Sequence, residues 1–358
     1  MIKILFICRH FLPEKSGMAT QMYNHIQFLR KNKNFNIKLV HLTENLSNNQ
    51  HPYVSETIPF KYGLRDELLR LKDSFKPDII HFDSIWPAGR CISQVFKDKP
   101  KAISVGGRLF DEYKDYHKYT KSNFFIGKLK GIFLYQLAKH VLNGIDIVFA
   151  EGDDIKQHLM NHGVQTKIFA INNGMDYSRF NYKRNKGKTV LFFGRYSWEN
   201  GPDQFLEILK GLPNFKGTMV GYGPMKEELE FAALKIPNVK VLGPVNFEEV
   251  PNLLDSFDFV LLPLRRIGGI SQTVTEAMAA GKVVLTTRIG DLENAIEHSK
   301  TGFFFKDIPD ARNILHSVAE NLKLRRTIEK SAIQKIRKEF AWSTVIEKYL
   351  QIYKNYFE

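Results

Sequence analysis

Short apolar runs alternate with longer amphipathic stretches along the whole chain. The apolar runs have the length of strands, and polar or turn residues separate them. In the first half they are KILFIC, IKLVHLT, DIIHFDS, KAISVGG, DIVFAEG and KIFAINNG. In the second half they are TVLFFGR, GTMVGYG, VKVLG, FDFVLLPLR and KVVLTT. Apolar strands joined by helical crossovers predict parallel sheets with helices on both faces.

Two such series predict an α/β protein with two doubly wound, Rossmann-like domains. A chain of 358 residues is too long for one compact domain of the usual size. The polar segment NYKRNKGK is the expected junction, so we place the first domain at 1–182 and the second at 188–340. The remaining segment, 341–358, is expected to be a helix that crosses back to the first domain. One face of that helix would carry Val345, Tyr349, Ile352 and Tyr353.

Composition excludes several classes of protein. An apolar content of 43% with 25% charged residues is typical of a globular chain. No apolar run approaches the length of a membrane span, and the N-terminal ILFIC is too short for a signal sequence. Cys8 and Cys91 form neither a disulfide framework nor a zinc motif, which fits a reducing compartment.

The net charge of +14 favours anionic partners, although a lysine bias for solubility would also explain it. A phosphorylated substrate, an acidic membrane surface and nucleic acid are the three candidates. The basic residues are scattered and form no known nucleic-acid module, so we expect no specific nucleic-acid partner.

The segment GGISQTVTEAMAAGK, which follows an apolar strand, is the strongest local signal of chemistry. Gly268 and Gly269 allow a tight turn and a close approach of the backbone. A helix that starts just after them would present unpaired N–H groups and its positive dipole end to a phosphate or diphosphate. The residues at that helix start are Ser271, Gln272 and Thr273.

Glu276 lies one turn into the same predicted helix. There it could accept hydrogen bonds from two neighbouring hydroxyl groups, as a ribose presents them. The plainer interpretation is that the helix dipole alone favours a glutamate in a first turn, and that the glycine pair is only a turn.

Six segments, in this order and spacing, resemble the retaining GT-B glycosyltransferases of the group 1 family, which use nucleotide-sugar donors. The segments are FLPEKSGMATQ, KPDIIHFDS, INNGMDYSRF, LFFGRYSWENGPDQFLEIL, MVGYGPMKEELE and VTEAMAAGKVVLTTRIGDLENAIEHSKTGFFF. The resemblance covers nearly the whole chain. It implies the GT-B fold, in which two Rossmann-like domains face a central cleft.

The resemblance also implies the roles of individual residues. Arg195 would contact the donor diphosphate, for which a fork-shaped cation is well suited, and Glu276 would hold the ribose. The backbone of Gln272 and Thr273 would bind the distal phosphate, which Gly17 lets the N-terminal loop approach. The further donor-site candidates are Asn200, Arg266, Gly268, Gly269 and Ser271. No Asp-x-Asp motif stands out, so we expect no metal and no cofactor, with a UDP-sugar as the donor.

Three positions depart from the family pattern. Gly268 stands where a glutamate usually touches the sugar, and Asn200 replaces the lysine that partners Arg195. Gly106 replaces a histidine near the donor sugar. Three other arginines could replace the lost phosphate cation or reach the cleft: Arg265, Arg266 and Arg108.

The first domain is expected to bind the acceptor. Lys118–Val141 is basic and aromatic and contains no acidic residue, which indicates an acidic membrane surface or the mouth of a lipid-linked acceptor site. An ordinary core helix with a solvated lysine face is the equal alternative. Candidates for the acceptor side are Asp83, Arg108 and Asp111. The catalytic candidates are His81, Arg108 and Arg195.

The sequence therefore predicts a retaining, metal-independent glycosyltransferase. It would move a sugar to a saccharide or lipid-linked glycan in surface polysaccharide assembly, in the cytoplasm or peripherally on the inner face of the membrane. Two alternatives remain open. One is a catalytically reduced homologue that binds nucleotide as a partner subunit, and the other is a nucleotide-sugar epimerase.

Overall fold

The computed structural model describes residues 1–11, 17–43, 52–59, 63–86, 88–114, 116, 124–183, 187–266 and 268–357. The chain divides into two compact units. Met1–Gly174 and Trp342–Glu358 form the first unit, and Met175–Ala341 forms the second. The units thus meet along the chain at Gly174, ahead of the NYKRNKGK segment in which the sequence pattern places the junction, and the last helix belongs to the first unit.

A seven-stranded parallel sheet forms the first unit. Its strands are β1 (Ile2–Cys8), β2 (Phe35–Thr43), β3 (Glu56–Pro59), β4 (Ile79–Phe82), β5 (Lys101–Val105), β6 (Ile147–Ala150) and β7 (Lys167–Ala170). They lie in the order β3-β2-β1-β4-β5-β6-β7, and all neighbours are parallel. The order reverses between β1 and β4, where ligands of doubly wound sheets usually bind.

Helices cover both faces of this sheet. They are α1 (Gly17–Arg30), α2 (Leu64–Phe75), α3 (Ala88–Val95), α4 (Leu109–Lys114), α5 (Phe124–Asn143) and α6 (Asp153–Asn161). Because successive side chains of a strand point to opposite faces, β1 supplies two separate cores. Leu5 and Ile7 enter one, whereas Ile4, Phe6 and Cys8 enter the other.

The second unit contains a six-stranded parallel sheet. Its strands are β8 (Thr189–Arg195), β9 (Lys216–Tyr222), β10 (Val239–Leu242), β11 (Phe259–Leu262), β12 (Val283–Thr286) and β13 (Phe303–Phe304). Their order is β10-β9-β8-β11-β12-β13, which reverses between β8 and β11. The unit has one large core.

Seven helices of the described chain accompany that sheet. They are α7 (Pro202–Lys210), α8 (Lys226–Ala233), α9 (Val250–Asp255), α10 (Gln272–Ala279), α11 (Leu292–Ala295), α12 (Ile308–Glu320) and α13 (Leu322–Lys335). A π-helical turn at Ile336–Phe340 then leads to α14 (Trp342–Phe357).

The prediction of two doubly wound α/β domains is confirmed, and all eleven predicted strands are present. Two further strands, β3 and β13, were not predicted. Both lie at a sheet edge, and β13 has only two residues. A short edge strand is buried on fewer sides and need not carry a long apolar run, so the apolar pattern marks it poorly.

Helix α14 packs its aromatic face into the first unit. Val345, Tyr349 and Tyr353 are buried there, and Ile352 is partly buried, so the predicted helical face is present. At the start of the helix the Trp342 ring lies against Gly174, where an added Cβ would come within 2.3 Å of it. The C-terminal helix thus completes the core of the first unit.

A buried ionic cluster holds the second unit together. The Arg325 guanidinium on α13 pairs with the carboxylates of Asp258 and Glu329. Asp258 also accepts the N–H groups of Gly187 and Thr189, at 3.2 and 3.0 Å, where the chain enters β8. Because each charge has a partner, the cluster can be buried without an isolated charge.

No helix in the described parts of the chain combines the length and the apolar character that crossing a membrane requires.

Candidate active site

Arg195 and the start of α10 lie at the same edge of the second sheet. Arg195 is the exposed last residue of β8, and α10 follows β11. Since β8 and β11 are parallel neighbours, their carboxyl ends meet at the point where the strand order reverses. The structure therefore places the predicted arginine and the predicted anion-binding turn at the same edge of the second sheet.

The start of α10 presents unpaired amides. Ser271 is the N-cap residue, and its carbonyl accepts the N–H groups of Val274 and Thr275, at 3.1 and 3.2 Å. The N–H groups of Gln272 and Thr273 precede these bonds and have no acceptor within the helix. They carry the positive end of the helix dipole, which suits a phosphate.

Gly269 shapes the turn before that helix, after Gly268. Its φ of 68° lies in the left-handed region that a residue with a side chain rarely adopts. Its carbonyl accepts the N–H of Asp291 at 3.2 Å, which ties the turn to the segment after β12. The segment after β12 thus helps to fix the conformation of the turn.

Glu276 is buried in the first turns of α10, with 5% of its surface exposed. The Gln272 side-chain amide donates to its Oε1 at 3.0 Å. Burial raises the pKa of Glu276 to about 7, against the opposing effects of that hydrogen bond and of the Arg179 charge. A carboxyl group with this pKa changes charge near neutral pH, which is a frequent property of functional sites.

Arg179 is the site residue that the sequence does not reveal. It ends the 3₁₀ turn Tyr177–Arg179, far from Glu276 in the chain, yet its charge acts on the Glu276 carboxyl group. Its Nη2 donates to the Phe247 carbonyl at 2.6 Å, and its guanidinium lies 3.5 Å from the centre of the Phe247 ring. Only its place in INNGMDYSRF marked this arginine, and nothing there indicates a contact with α10.

Asn200 stabilises the loop that follows Arg195. Its side-chain amide donates to the Arg195 carbonyl at 2.8 Å, within the 3₁₀ turn Trp198–Asn200. Arg265 is held by Asp203, to which its guanidinium donates twice, and by the Trp198 carbonyl. Arg266 is half-buried, and its backbone N–H faces the Glu199 carbonyl at 3.3 Å.

His81 is a core residue, which corrects the expectation that it is a catalytic candidate at the end of its strand. Its ring is fully buried between the rings of Phe6 and Phe149. Nδ1 bonds with the Tyr353 hydroxyl, and Nε2 lies 2.8 Å from Ser104 Oγ. Burial lowers the pKa of His81 well below its usual value, so the ring is neutral. Both ring nitrogens are therefore used inside the first unit.

Asp83 follows β4 and holds the segment after β1. Its two carboxylate oxygens accept the backbone N–H groups of Arg9 and His10, at 2.8 and 3.0 Å. Burial raises the pKa of Asp83 to about 6, although these two bonds oppose the shift. The carboxyl group thus lies at the carboxyl edge of the first sheet, between β1 and β4, where the strand order reverses.

Arg108 and Asp111 form a second polar group of the first unit. Arg108 Nε donates to Asp111 at 2.7 Å, and its Nη1 donates to Asp154 at 3.1 Å. These carboxylates raise the pKa of the guanidinium. The two predicted acceptor residues are therefore an ion pair whose geometry is set by α4 and α6.

Among the described residues, one group could offer three ligands to a metal ion: Asp111, His158 and His162. The Phe110 N–H donates to His158 Nε2, so the lone pair of that nitrogen is already used. The proton of the neutral ring therefore lies on Nδ1, and neither nitrogen offers a free lone pair to a metal ion. His162 Nε2 lies 3.0 Å from the Lys114 ammonium. The hydrogen bonds of this group do not suit a cation.

Glu151 fills the space beside Gly106. A Cβ on Gly106 would lie 2.5 Å from the Glu151 carboxylate and 2.6 Å from Met18 Cε. Burial raises the pKa of Glu151 to about 7. Gly17 begins α1 directly after residues 12–16, and that predicted glycine loop lies outside the described residues.

Two family descriptions match adjoining parts of the chain. Residues 176–339 match Glycosyl transferases group 1, and residues 15–179 match Glycosyltransferase Family 4. Together they cover nearly the whole chain, and the group 1 match, 176–339, includes Arg195 and the α10 turn.

Individual proteins are similar at low identity. An uncharacterized glycosyltransferase of Methanocaldococcus jannaschii is 22% identical, over 77% of this chain and 75% of its own. An uncharacterized protein in the cps region of Klebsiella pneumoniae is 25% identical, over 82% of this chain and 76% of its own. The solved structure of Anabaena Alr3699/HepE in complex with UDP and glucose has a TM-score of 0.78 and 17% identity, covering 99% of this chain and 100% of that one. At this low identity, the likeness to the Alr3699/HepE structure shows the fold alone.

Proposed function

Because this chain belongs to the group 1 glycosyltransferases, enzymes that use nucleotide-sugar donors, we propose that it transfers a sugar from a UDP-sugar with retention of the anomeric configuration. The acceptor is a saccharide or a lipid-linked glycan, bound by the first unit. The observation that supports the proposal most strongly is the α10 start, where two unpaired amides precede the buried Glu276.

In this proposal the second unit binds the donor. The N–H groups of Gln272 and Thr273 hold the distal phosphate, and Arg195 approaches the diphosphate from β8. The Glu276 carboxylate accepts hydrogen bonds from the ribose hydroxyls, and Arg179 favours its charged form. A solved structure of the same fold contains UDP, which supports a uridine nucleotide as the nucleotide part of the donor.

The transfer breaks the bond between the anomeric carbon and the diphosphate oxygen and forms a bond from that carbon to the acceptor oxygen on the same face. The acceptor proton passes to the departing diphosphate, so no protein nucleophile is required. The negative charge that develops on the diphosphate is stabilised by Arg195 and by the helix-start amides. We propose that this cationic environment serves in place of a metal ion.

The substituted positions Gly106, Asn200 and Gly268 motivate a second candidate, a catalytically reduced homologue that binds nucleotide as a partner subunit. The contact of Asn200 with the Arg195 carbonyl supports it, because that amide is used within the loop. An epimerase would use the same donor site without an acceptor, and the donor assay below separates it from a transferase.

We place this activity in the cytoplasm, in surface polysaccharide assembly on the inner face of the membrane. The similarity to a protein of a cps region supports the pathway. The basic segment Lys118–Val141 supports a location at the inner face of the membrane. Of that segment the structure describes 124–141, and residues 118–123 lie outside the described chain.

Calorimetric titration with UDP, GDP, ADP and CMP tests the donor site. UDP should bind most tightly, and Glu276→Ala should weaken it roughly tenfold or more, the effect of losing hydrogen bonds to a charged group. Glu228→Ala, which removes an exposed glutamate of α8, is the matched control and should leave binding unchanged. Equal affinity of Glu276→Ala and wild type would contradict the assigned ribose contact.

Incubation with UDP-sugars, with and without a chelator, then tests the reaction. Slow release of UDP that persists in chelator, with a product of unchanged anomeric configuration in the NMR spectrum, is the expected result. Donor conversion to an epimer without release of UDP would establish the epimerase. Tight UDP binding with neither reaction would establish the reduced homologue.

A further inference from the structure

The first three turns of α5 are inverted relative to an ordinary core helix. Their small residues, Gly127 and Gly131, face the interior, whereas their large apolar side chains are exposed. The exposed fractions are 53% for Phe124, 74% for Phe125, 53% for Ile126, 69% for Leu129, 54% for Ile132 and 55% for Phe133. Soluble proteins seldom expose so many neighbouring apolar side chains.

Packing against α4 explains the inversion. A Cβ on Gly131 would lie 2.2 Å from the backbone carbonyl oxygen of Tyr113, so the helix backbone rests almost directly on the chain beneath it. At this spacing there is no room for a large side chain on the inner side. The exposed residues are therefore a consequence of how α5 is seated, and they are not left over from an incomplete core.

The exposed residues form one stripe. At about 100° per residue, Phe125, Leu129 and Ile132 lie within a roughly 120° wide arc with Ile126 and Phe133. Lys128 lies beyond one border of that arc and Lys130 beyond the other, and both are exposed. The helix Phe124–Asn143 contains no acidic residue.

Trp86 extends the stripe from a different segment. Its side chain is 46% exposed, and its ring meets the Phe133 ring edge to face, with centroids 6.0 Å apart. Arg9 Nη1 and Ser84 Oγ both donate to its carbonyl at 3.0 Å, which fixes the backbone at this position. We call Trp86, Phe125, Ile126, Leu129, Ile132 and Phe133 the apolar face.

We propose that the apolar face inserts into the interfacial region of a phospholipid surface that contains anionic lipid. An apolar stripe bordered by lysines is the pattern of helices that lie in the plane of such an interface. The apolar side chains enter the acyl boundary while Lys128 and Lys130 remain with the headgroups, where each basic residue gains attraction from anionic lipid. An aromatic side chain such as Trp86 suits the same depth.

Charge selects this partner over a second copy of the chain. Two copies that joined through the same patch would bring Lys128 and Lys130 close to their own counterparts, and like charges oppose such a contact. This lipid-binding role rests on the proposed function for its biological setting, and it extends that function by naming a partner of the first unit. Because Trp86 belongs to the segment that also contains Asp83, an acceptor carried in the bilayer would arrive beside that carboxyl group.

Sedimentation with vesicles tests the proposal. Vesicles of phosphatidylcholine and of phosphatidylcholine with phosphatidylglycerol should both bind the protein, the mixed vesicles more strongly. Leu129→Gln/Phe133→Gln should lower binding to both kinds roughly tenfold or more. Lys128→Gln/Lys130→Gln should lower binding to the mixed vesicles only, and added salt should have the same effect as this variant.

The matched control is Phe231→Gln/Leu234→Gln on the second unit, whose side chains are even more exposed than those of Phe133 and Leu129, at 66% and 81%. It should bind vesicles like wild type. Titration of every variant with UDP reports the second unit separately, so loss of UDP binding would bear on the proposed function and not on this surface. Equal binding of wild type and Leu129→Gln/Phe133→Gln would overturn the proposal.

Fluorescence gives a direct measure of depth. Of the three tryptophans, Trp342 is buried and Trp198 is 58% exposed, so Trp198→Phe leaves Trp86 as the exposed fluorophore. Brominated lipid should quench the emission of that variant. Unquenched emission from bound protein would overturn the insertion of Trp86. A monomer–dimer equilibrium that Leu129→Gln/Phe133→Gln abolishes, without vesicle binding by wild type, would assign the face to a second copy instead.

Discussion

At the scale of single residues, the proposed donor site combines an exposed cation with a buried carboxyl group whose charge depends on its neighbours. Arg195 is exposed at the end of β8, whereas Glu276 is buried and its pKa is raised to about 7. Burial is the first cause of that shift, and the Arg179 charge and the Gln272 amide oppose it. Glu276 therefore accepts hydrogen bonds best above neutral pH, when it is ionised.

The affinity for UDP should consequently depend on pH through Glu276. As the pH rises through about 7, the carboxyl group ionises and becomes a stronger acceptor for the ribose hydroxyls, so binding should tighten. In Glu276→Gln this rise should be absent, because an amide does not ionise in this range. Calorimetric titrations of both proteins between pH 5 and 9, roughly the range in which such a group titrates, measure the difference, and the variant corrects for the titration of UDP itself.

Arg179 should set the midpoint of that dependence. In Arg179→Met the carboxylate loses the cation that favours its charged form, so the pKa of Glu276 should rise and the midpoint should move to higher pH. Arg179→Lys should restore much of the original midpoint. A uniformly weaker affinity with an unchanged midpoint would instead show that Arg179 acts only through its contact with Phe247. Such a result would leave the ribose contact of Glu276 intact.

At the scale of elements, apolar pattern predicts what is buried along one helix or strand but not which neighbour covers it. The eleven predicted strands have apolar runs, whereas β3 and β13, the two that were not predicted, have little to mark them. Helix α5 shows the same limit. Its sequence is compatible with a core helix, and only its seating on α4 turns Phe125 and Leu129 outward.

That seating makes Gly131 a sensitive position. Alanine is favoured over glycine in a helix by about 1 kcal/mol, but its Cβ would meet the Tyr113 carbonyl, which is backbone and cannot rotate away. Gly131→Ala should therefore lower the free energy of unfolding by about 1–3 kcal/mol, as overpacking does. Chemical denaturation measures it, with Gln136→Ala on the exposed side as control. A stabilised Gly131→Ala would show that α5 is not seated this closely.

At the scale of the whole molecule, each unit is closed by a contact between distant parts of the sequence. In the first unit α14 brings Tyr353 to His81. In the second, α13 brings Arg325 to Asp258, at the entrance to the sheet. These contacts join a late helix of each unit to β4 and to the start of β11, strands in the middle of their sheets, so they depend on the complete fold.

Loss of Arg325 should be far more costly than loss of an exposed arginine. Arg325→Met leaves the buried carboxylates of Asp258 and Glu329 without their cation, and we expect a loss of about 3–5 kcal/mol in the free energy of unfolding. Arg288→Met removes the exposed pair with Glu293 and should cost no more than about 1 kcal/mol. Urea unfolding of the two variants gives the comparison. Similar losses would mean that the buried cluster is not the closure of the second unit.

The sequence alone determined the two parallel sheets and the turn before α10 that we propose as part of the donor site, because both are local. A buried strand has a continuous apolar run, and a helix start that can bind an anion needs only a few consecutive residues, here Gly269 to Glu276. The tertiary structure decided the rest. It made His81 a core residue, brought Arg179 to Glu276, and turned the large side chains of α5 outward. Each of these depends on strand order or on the rotation of a helix against its neighbour, which a one-dimensional pattern does not encode.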